Sequence, residues 1–186
     1  MKVIILAGGL GTRLGNITES IPKPMVKIGG RPIIWHIMKR YSSFGYKNFV
    51  ISLGYKAEVI KDYFYNYSIL EKDFTIDYKN GKTEIHSIHN ENDWTVTLID
   101  TGLNTLKGAR IKRVEKYLDD VNMVTYGDGV ADIDIEKLID FHNSHNKILT
   151  ITGVHPSSRF GELNENNNQV ISFIEKPENS HHYING

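Results

Sequence analysis

Apolar residues in this chain alternate between two spacings, and that alternation is its first structural signal. Lys2–Leu6 is a continuous β-branched run closed by Gly8-Gly9, which predicts a strand buried on both faces of a parallel sheet. From Pro32 the period changes. Ile33, Ile34, Ile37, Met38 and Tyr41 recur on one helical face, and Pro32 suits the first position of that helix. Asn48–Leu53 reads as a second strand, and Ile60, Tyr63, Phe64 and Tyr67 mark a second helix. Strand, helix, strand, helix at this spacing predicts an α/β fold with a parallel sheet.

The middle departs from that rhythm. Asn80-Gly81 between Thr75–Lys79 and Thr83–His89 predicts a two-residue hairpin, and Thr95–Asp100 extends this strand-rich stretch. The helix–strand order then resumes. Ile111, Val114 and Leu118 lie on a short helix, followed by a strand at Met123–Tyr126, a helix over Asp134–His145 and a strand at Ile148–Val154. A polar turn at Asn164–Asn168 leads to a last strand, Gln169–Ile174. No repeat, low-complexity tract or linker interrupts the chain, so residues 1–186 are read as one domain with a mixed, mostly parallel sheet flanked by helices. Because Tyr183-Ile184-Asn185-Gly186 follows a strand without a covering helix, the expectation is a domain cut before its C-terminal remainder.

Composition narrows the function classes. The chain has 186 residues, 22 Lys+Arg against 22 Asp+Glu, and no cysteine. Zero Cys removes a disulfide framework, a Cys-ligated zinc site, an iron–sulfur cluster and a cysteine nucleophile. Zero net charge provides no global field to hold nucleic acid, though a local cluster can still bind a small anion. Val3–Ala7 is the longest apolar run. It is far short of the ~20 residues of a membrane span and too short for a secretory core. A cytoplasmic protein without membrane partner is expected.

The sharpest motif is Leu6-Ala7-Gly8-Gly9-Leu10-Gly11-Thr12-Arg13-Leu14. Glycines at the carboxyl end of a parallel strand let backbone N–H groups approach phosphate closely. A Walker loop requires Gly-Lys-Ser/Thr, and no Lys stands there. A dinucleotide fingerprint starting at Gly9 would require a small residue where Leu14 stands, and a long helix that Pro22 and Pro24 preclude. The loop instead carries its own cations. Arg13 can fork onto phosphate oxygens, Thr12 offers a hydroxyl, and Lys23 sits between two stiffening prolines. A solvated surface turn would explain Gly8-Gly9 alone, but not the whole set.

These residues, with Pro22-Lys23-Pro24-Met25-Val26 and Ile28-Gly29-Gly30-Arg31-Pro32-Ile33, resemble the signature of sugar-1-phosphate nucleotidylyltransferases. The resemblance covers the whole chain and implies their Rossmann-like nucleotide-diphospho-sugar transferase fold. Within that family, Val96–Gly102, Gly108–Val114 and Thr125–Val130, together with Trp35–Lys39 and Gly54-Tyr55-Lys56, resemble the cytidylyl branch acting on glucose 1-phosphate. That branch usually has two glycines before the arginine, where this chain has Gly108-Ala109.

The resemblance implies CTP and glucose 1-phosphate as partners, Mg²⁺ as cofactor, a homo-oligomer when full length, and a role in supplying deoxysugar and O-antigen precursors. It carries Thr105 and Arg110 over as nucleotide-binding candidates beside Leu6–Arg13 and Lys23. Asp128, at the carboxyl end of a parallel strand in Gly127-Asp128-Gly129, is the candidate metal ligand, because nucleotidyl transfer must offset charge on the α-phosphate and leaving pyrophosphate. A turn aspartate bonding its own backbone is the alternative. Asp132 and Asp134 are expected to cap the next helix. Phe173-Ile174-Glu175-Lys176-Pro177 and Arg159-Phe160-Gly161 resemble the sugar-phosphate segment, so Lys176 would pair with the sugar's phosphate, Glu175 with hydroxyls, and Gly161 would lie against the ring. The histidine pairs His86/His89 and His142/His145 lack the companions of a metal site. Three other readings stay open: transfer of a uridylyl or thymidylyl group, a catalytically inactive nucleotide-sugar-binding module, and, less well supported by the loop, a nicotinamide dehydrogenase.

Overall fold

The β-branched run at the start becomes β1 (Lys2–Ala7), a central strand of a four-stranded parallel sheet. This computed structural model describes residues 1–11, 20–70, 72–86, 93–155, 161–176 and 183–185. The sheet runs in the order β7-β4-β1-β8, where β4 is Asn48–Leu53, β7 is Thr95–Asp100 and β8 is Asn122–Tyr126. Register is continuous, with Val3 opposite Phe49 and Met123. Strand side chains alternate between faces, and each face has its own core. Val3, Ile5 and Ala7 pack with Phe49, Ile51 and Leu53 against helices α1 (Ile33–Ser43) and α2 (Ala57–Tyr65). Ile4 and Val50 pack on the other face with Val114 of α4 (Lys107–Val114); α3 is the single turn Tyr67–Leu70. Pro32 stands at the N-cap of α1, one position before the helix proper.

Several expectations change. Thr95–Asp100 does not belong to the hairpin region: β7 pairs in parallel with β4, at one edge of the main sheet. The hairpin itself joins β5 (Phe74–Asp77) to β6 (Lys82–Ile85) through four residues, not two. Asp77 is the reason. Its carboxylate accepts from the Lys79 amide at 2.8 Å, and its carbonyl accepts from Gly81 at 2.8 Å, so the turn begins two residues early. A tight two-residue turn occurs instead at Asn167-Asn168, both left-handed, between β10 (Glu162–Asn166) and β11 (Gln169–Ile174). The strand expected at 148–154 contracts to β9 (Gly153–Val154), paired with β12 (Ile184–Asn185). Ile148 is wholly exposed, and a run of apolar residues is no strand without a hydrogen-bonded partner. The remaining short pair, β2 (Lys27–Ile28) with β3 (Arg31–Pro32), precedes α1.

The chain divides into two compact units, Met1–Asp132 and Ile133–Gly186. The second opens on α5 (Ile135–Asn143), where Asp134 accepts from the Lys137 amide at 3.1 Å as its N-cap. That hydrogen bond holds the Asp134 carboxyl below its usual pKa. Asp132 does not share the capping role; it pairs with Arg40 at 2.6 Å. Among the described residues, no helix is long and apolar enough to cross a membrane.

Phe49 is buried in the first core and Ile148 is exposed. Urea unfolding should therefore find Phe49→Ala destabilised by about 3–5 kcal/mol, and Ile148→Ala within about 0.5 kcal/mol of the parent.

Candidate active site

The strand order positions the site. From β1 the chain steps outward through β4 to β7, then crosses back to place β8 on the other side of β1. Such a reversal opens a crevice beyond the carboxyl ends of β1 and β8, where ligands of open α/β sheets bind. Leu6 of β1 lies opposite Tyr126 of β8, so Gly8-Gly9 and Gly127-Asp128 emerge side by side. The Gly127 amide ties them by donating to the Leu6 carbonyl at 3.0 Å.

Two predicted residues meet here. Lys23 Nζ lies 2.8 Å from Asp128 Oδ2, bridging 105 positions of sequence. Local structure explains the meeting. Lys23 begins a 3-10 turn, Lys23–Met25, between Pro22 and Pro24, both of which are buried. Pro24 Cγ lies 3.1 Å from where a Gly127 Cβ would stand. The prolines anchor the turn while the lysine between them reaches the carboxylate. The two side chains retain 24% and 37% of their exposure, so the pair contributes at most about 1 kcal/mol. A ligand with stronger charges can part it.

Arg110 behaves differently. It is 5% exposed, and both terminal nitrogens bond to protein oxygens. Nη1 donates to the Leu53 carbonyl (2.9 Å) and Thr101 Oγ1 (2.7 Å). Nη2 donates to the Gly8 carbonyl (2.8 Å) and the Leu103 carbonyl (3.1 Å). Burial lowers its pKa, Arg113 adds to the drop, and Asp100 opposes it. The guanidinium fills the space beneath Gly8 and Gly54: a Cβ at either would stand 2.1 Å or 2.6 Å from Nη1. Thr105, the other candidate from this loop, accepts from Arg113 at 2.6 Å and keeps its own hydroxyl proton to donate. Leu6 and Ala7 end β1, and Leu10 is exposed beyond Gly8-Gly9. Gly11 has a left-handed φ of 67°. Thr12 and Arg13 lie outside the described residues.

In the second unit, Gly161, Glu175 and Lys176 come together. A Cβ on Gly161 would stand 2.4 Å from the Phe173 ring and 3.1 Å from Glu175 Oε2. Lys176, at a left-handed φ of 45°, holds Nζ 4.0 Å from Glu175 Oε1.

Comparison with known proteins decides the class. Residues 2–186 match the family described as Nucleotidyl transferase. The chain belongs to that family. Over its full length it is 51% identical to glucose-1-phosphate cytidylyltransferase of Salmonella typhimurium, covering 73% of that protein. It is 40% identical to the probable glucose-1-phosphate cytidylyltransferase of Bacillus subtilis, again over its full length and covering 72% of that protein. Among solved structures, HddC from Yersinia pseudotuberculosis complexed with GMP-PN superposes with a TM-score of 0.64 at 31% identity, over 99% of this chain and 73% of that one. The enzyme is a nucleotidyltransferase of the sugar-1-phosphate group, with the α/β fold of its structural neighbours.

Sequence reasoning did not find every residue at the carboxyl edge of this nucleotidyl transferase. Lys107, the first residue of α4, reaches the Tyr126 hydroxyl at 3.3 Å with its ammonium 5.0 Å from the ring centroid. It places a further cation beside the end of β8. Gly54 and Thr101 also matter, because they complete the shell around Arg110. Both lie in stretches that carry the cytidylyl resemblance, Gly54-Tyr55-Lys56 and Val96–Gly102, but neither had a role assigned from sequence. Among the described residues no three His, Cys, Asp or Glu side chains cluster as a metal cage.

Among the described residues, nothing would lie within 4 Å of a Cβ on Gly9, in contrast with Gly8. Gly8→Ala should lower thermal stability, by about 1–3 kcal/mol for forced overpacking. Gly9→Ala should leave stability within about 0.5 kcal/mol.

Proposed function

We propose that this nucleotidyl transferase moves a cytidylyl group from CTP to α-D-glucose 1-phosphate, giving CDP-glucose and pyrophosphate. The observation that carries the reading is the meeting of Lys23 and Asp128 beside the glycine loop at the sheet's switch point. Cytidine is the favoured base because the relatives at 51% and 40% identity bear the cytidylyltransferase name.

In the reaction a phosphate oxygen of the sugar phosphate attacks the α-phosphorus. A new P–O bond forms, the bond to the β-phosphate oxygen breaks, and pyrophosphate leaves with its electrons. The nucleophile is already anionic near neutral pH, so no general base is required. Positioning and charge neutralisation do the catalysis. Lys23, and Arg13 beyond the described residues, hold the triphosphate. Lys176 receives the incoming phosphate, with Gly161 and Glu175 against the sugar.

Asp128 suits a hard divalent cation. It is a half-exposed carboxylate at the crevice, and Mg²⁺ is commonly held by one or two carboxylates plus substrate phosphates instead of an all-protein cage. When bound, Mg²⁺ would offset charge on the α-phosphate and leaving group. Lys23, released from Asp128 by the triphosphate, then faces phosphate oxygens. The cytoplasmic setting and the supply of deoxysugar precursors belong to the same proposal.

Lys23→Ala and Asp128→Ala should each slow pyrophosphate release by at least ~10²-fold, the scale for removal of one preorganised charge-stabilising donor. Near-parental turnover in either variant contradicts the assignment.

A further inference from the structure

We propose that Arg110 is a positioning residue that aims the Gly9 amide at the nucleotide's phosphates. This deepens the nucleotidyl-transfer reading and rests on it.

The Gly8 carbonyl is held from two sides, by Arg110 Nη2 at 2.8 Å and by the Tyr55 amide at 3.3 Å. Every described peptide bond is trans. In a trans peptide the N–H of one residue points opposite to the preceding C=O. Fixing the Gly8 carbonyl toward the guanidinium therefore directs the Gly9 N–H away from it. Amides so presented on a glycine loop are phosphate donors.

The shell around Arg110 is built for this role. Its four acceptors come from the ends of β1 and β4 and from the loop after β7, so one planar group joins three strand termini. Lysine lacks the fork to reach them together. Gly8 and Gly54 leave room for the guanidinium, which a Cβ on either would displace. With both terminal nitrogens engaged, Arg110 acts through the Gly8 peptide and touches no phosphate.

Three variants test the inference on the intact chain: Arg110→Lys, Gly54→Ala and the milder Thr101→Val. Without nucleotide, hydrogen exchange across residues 6–11 should accelerate in Arg110→Lys and Gly54→Ala, and by less in Thr101→Val. In turnover, the nucleotide KM should rise about tenfold or more, the scale of one lost charge-assisted hydrogen bond. At saturating nucleotide, kcat and the glucose 1-phosphate KM should stay within about twofold, because bound nucleotide restores the loop. A Gly54→Ala/Arg110→Lys double variant should be no worse than the poorer single one, since both act on one peptide.

Unchanged exchange in both strong variants overturns the inference. So does a nucleotide KM that rises in Arg110→Lys alone while Gly54→Ala matches the parent, which would mean direct contact with the nucleotide. If the parent uses a triphosphate other than CTP, the choice of base fails separately. The exchange data and the KM for that triphosphate then decide the role of Arg110.

Discussion

A positive charge buried with no ion pair among the described residues is costly, and Arg110 is such a charge. Its cost is offset by hydrogen bonds from an ionised donor to three backbone carbonyls and a hydroxyl, bonds stronger than their neutral counterparts. The acceptors belong to different strand ends, so satisfying the guanidinium forces those ends into one arrangement. Gly8 and Gly54 leave room for it, and Gly8, Leu53, Thr101 and Leu103 supply its acceptors. The glycine loop therefore starts from a peptide whose carbonyl is held in place.

A second consequence is a division of labour among cations. The chain's charges cancel overall, and those near the crevice have different duties. Arg110 is committed to the scaffold. Lys23 is paired with Asp128 across a partly exposed contact that a polyanion can open. Lys107 sits on Tyr126, at the edge of the same crevice. Strength of attachment separates them: the buried guanidinium stays in place, while the exposed ammonium can exchange its partner for a phosphate.

How much of this was readable beforehand follows from where each signal lies. β1 and β4 were legible because strands buried on both faces need uninterrupted apolar runs, and few other environments do. Asp128 was legible from its glycines and its place after a strand. The hairpin was found but its loop length was not, because Asp77 captures the Lys79 amide before Asn80-Gly81 can form the tight turn. The run Ile148–Val154 misled, since strand formation depends on a partner that local pattern does not reveal. Arg110 was picked out by resemblance as a nucleotide residue; its acceptors, three of them backbone carbonyls, were not legible, because a carbonyl's direction leaves no trace in residue identity. Lys107 was missed for a related reason: only the crossover from β7 to β8 brings it to Tyr126.

On the proposed function, the crevice beyond β1 and β8 binds a nucleoside triphosphate for transfer to a sugar 1-phosphate, with cytidine as the base. The most direct measurement is pyrophosphate release from CTP, UTP, GTP, ATP and dTTP in turn, with glucose 1-phosphate and Mg²⁺ present and the sugar nucleotide identified by mass. Release should be fastest with CTP, with CDP-glucose as the product. Faster release with another triphosphate would contradict the base, and no release with any of the five would contradict the transfer itself.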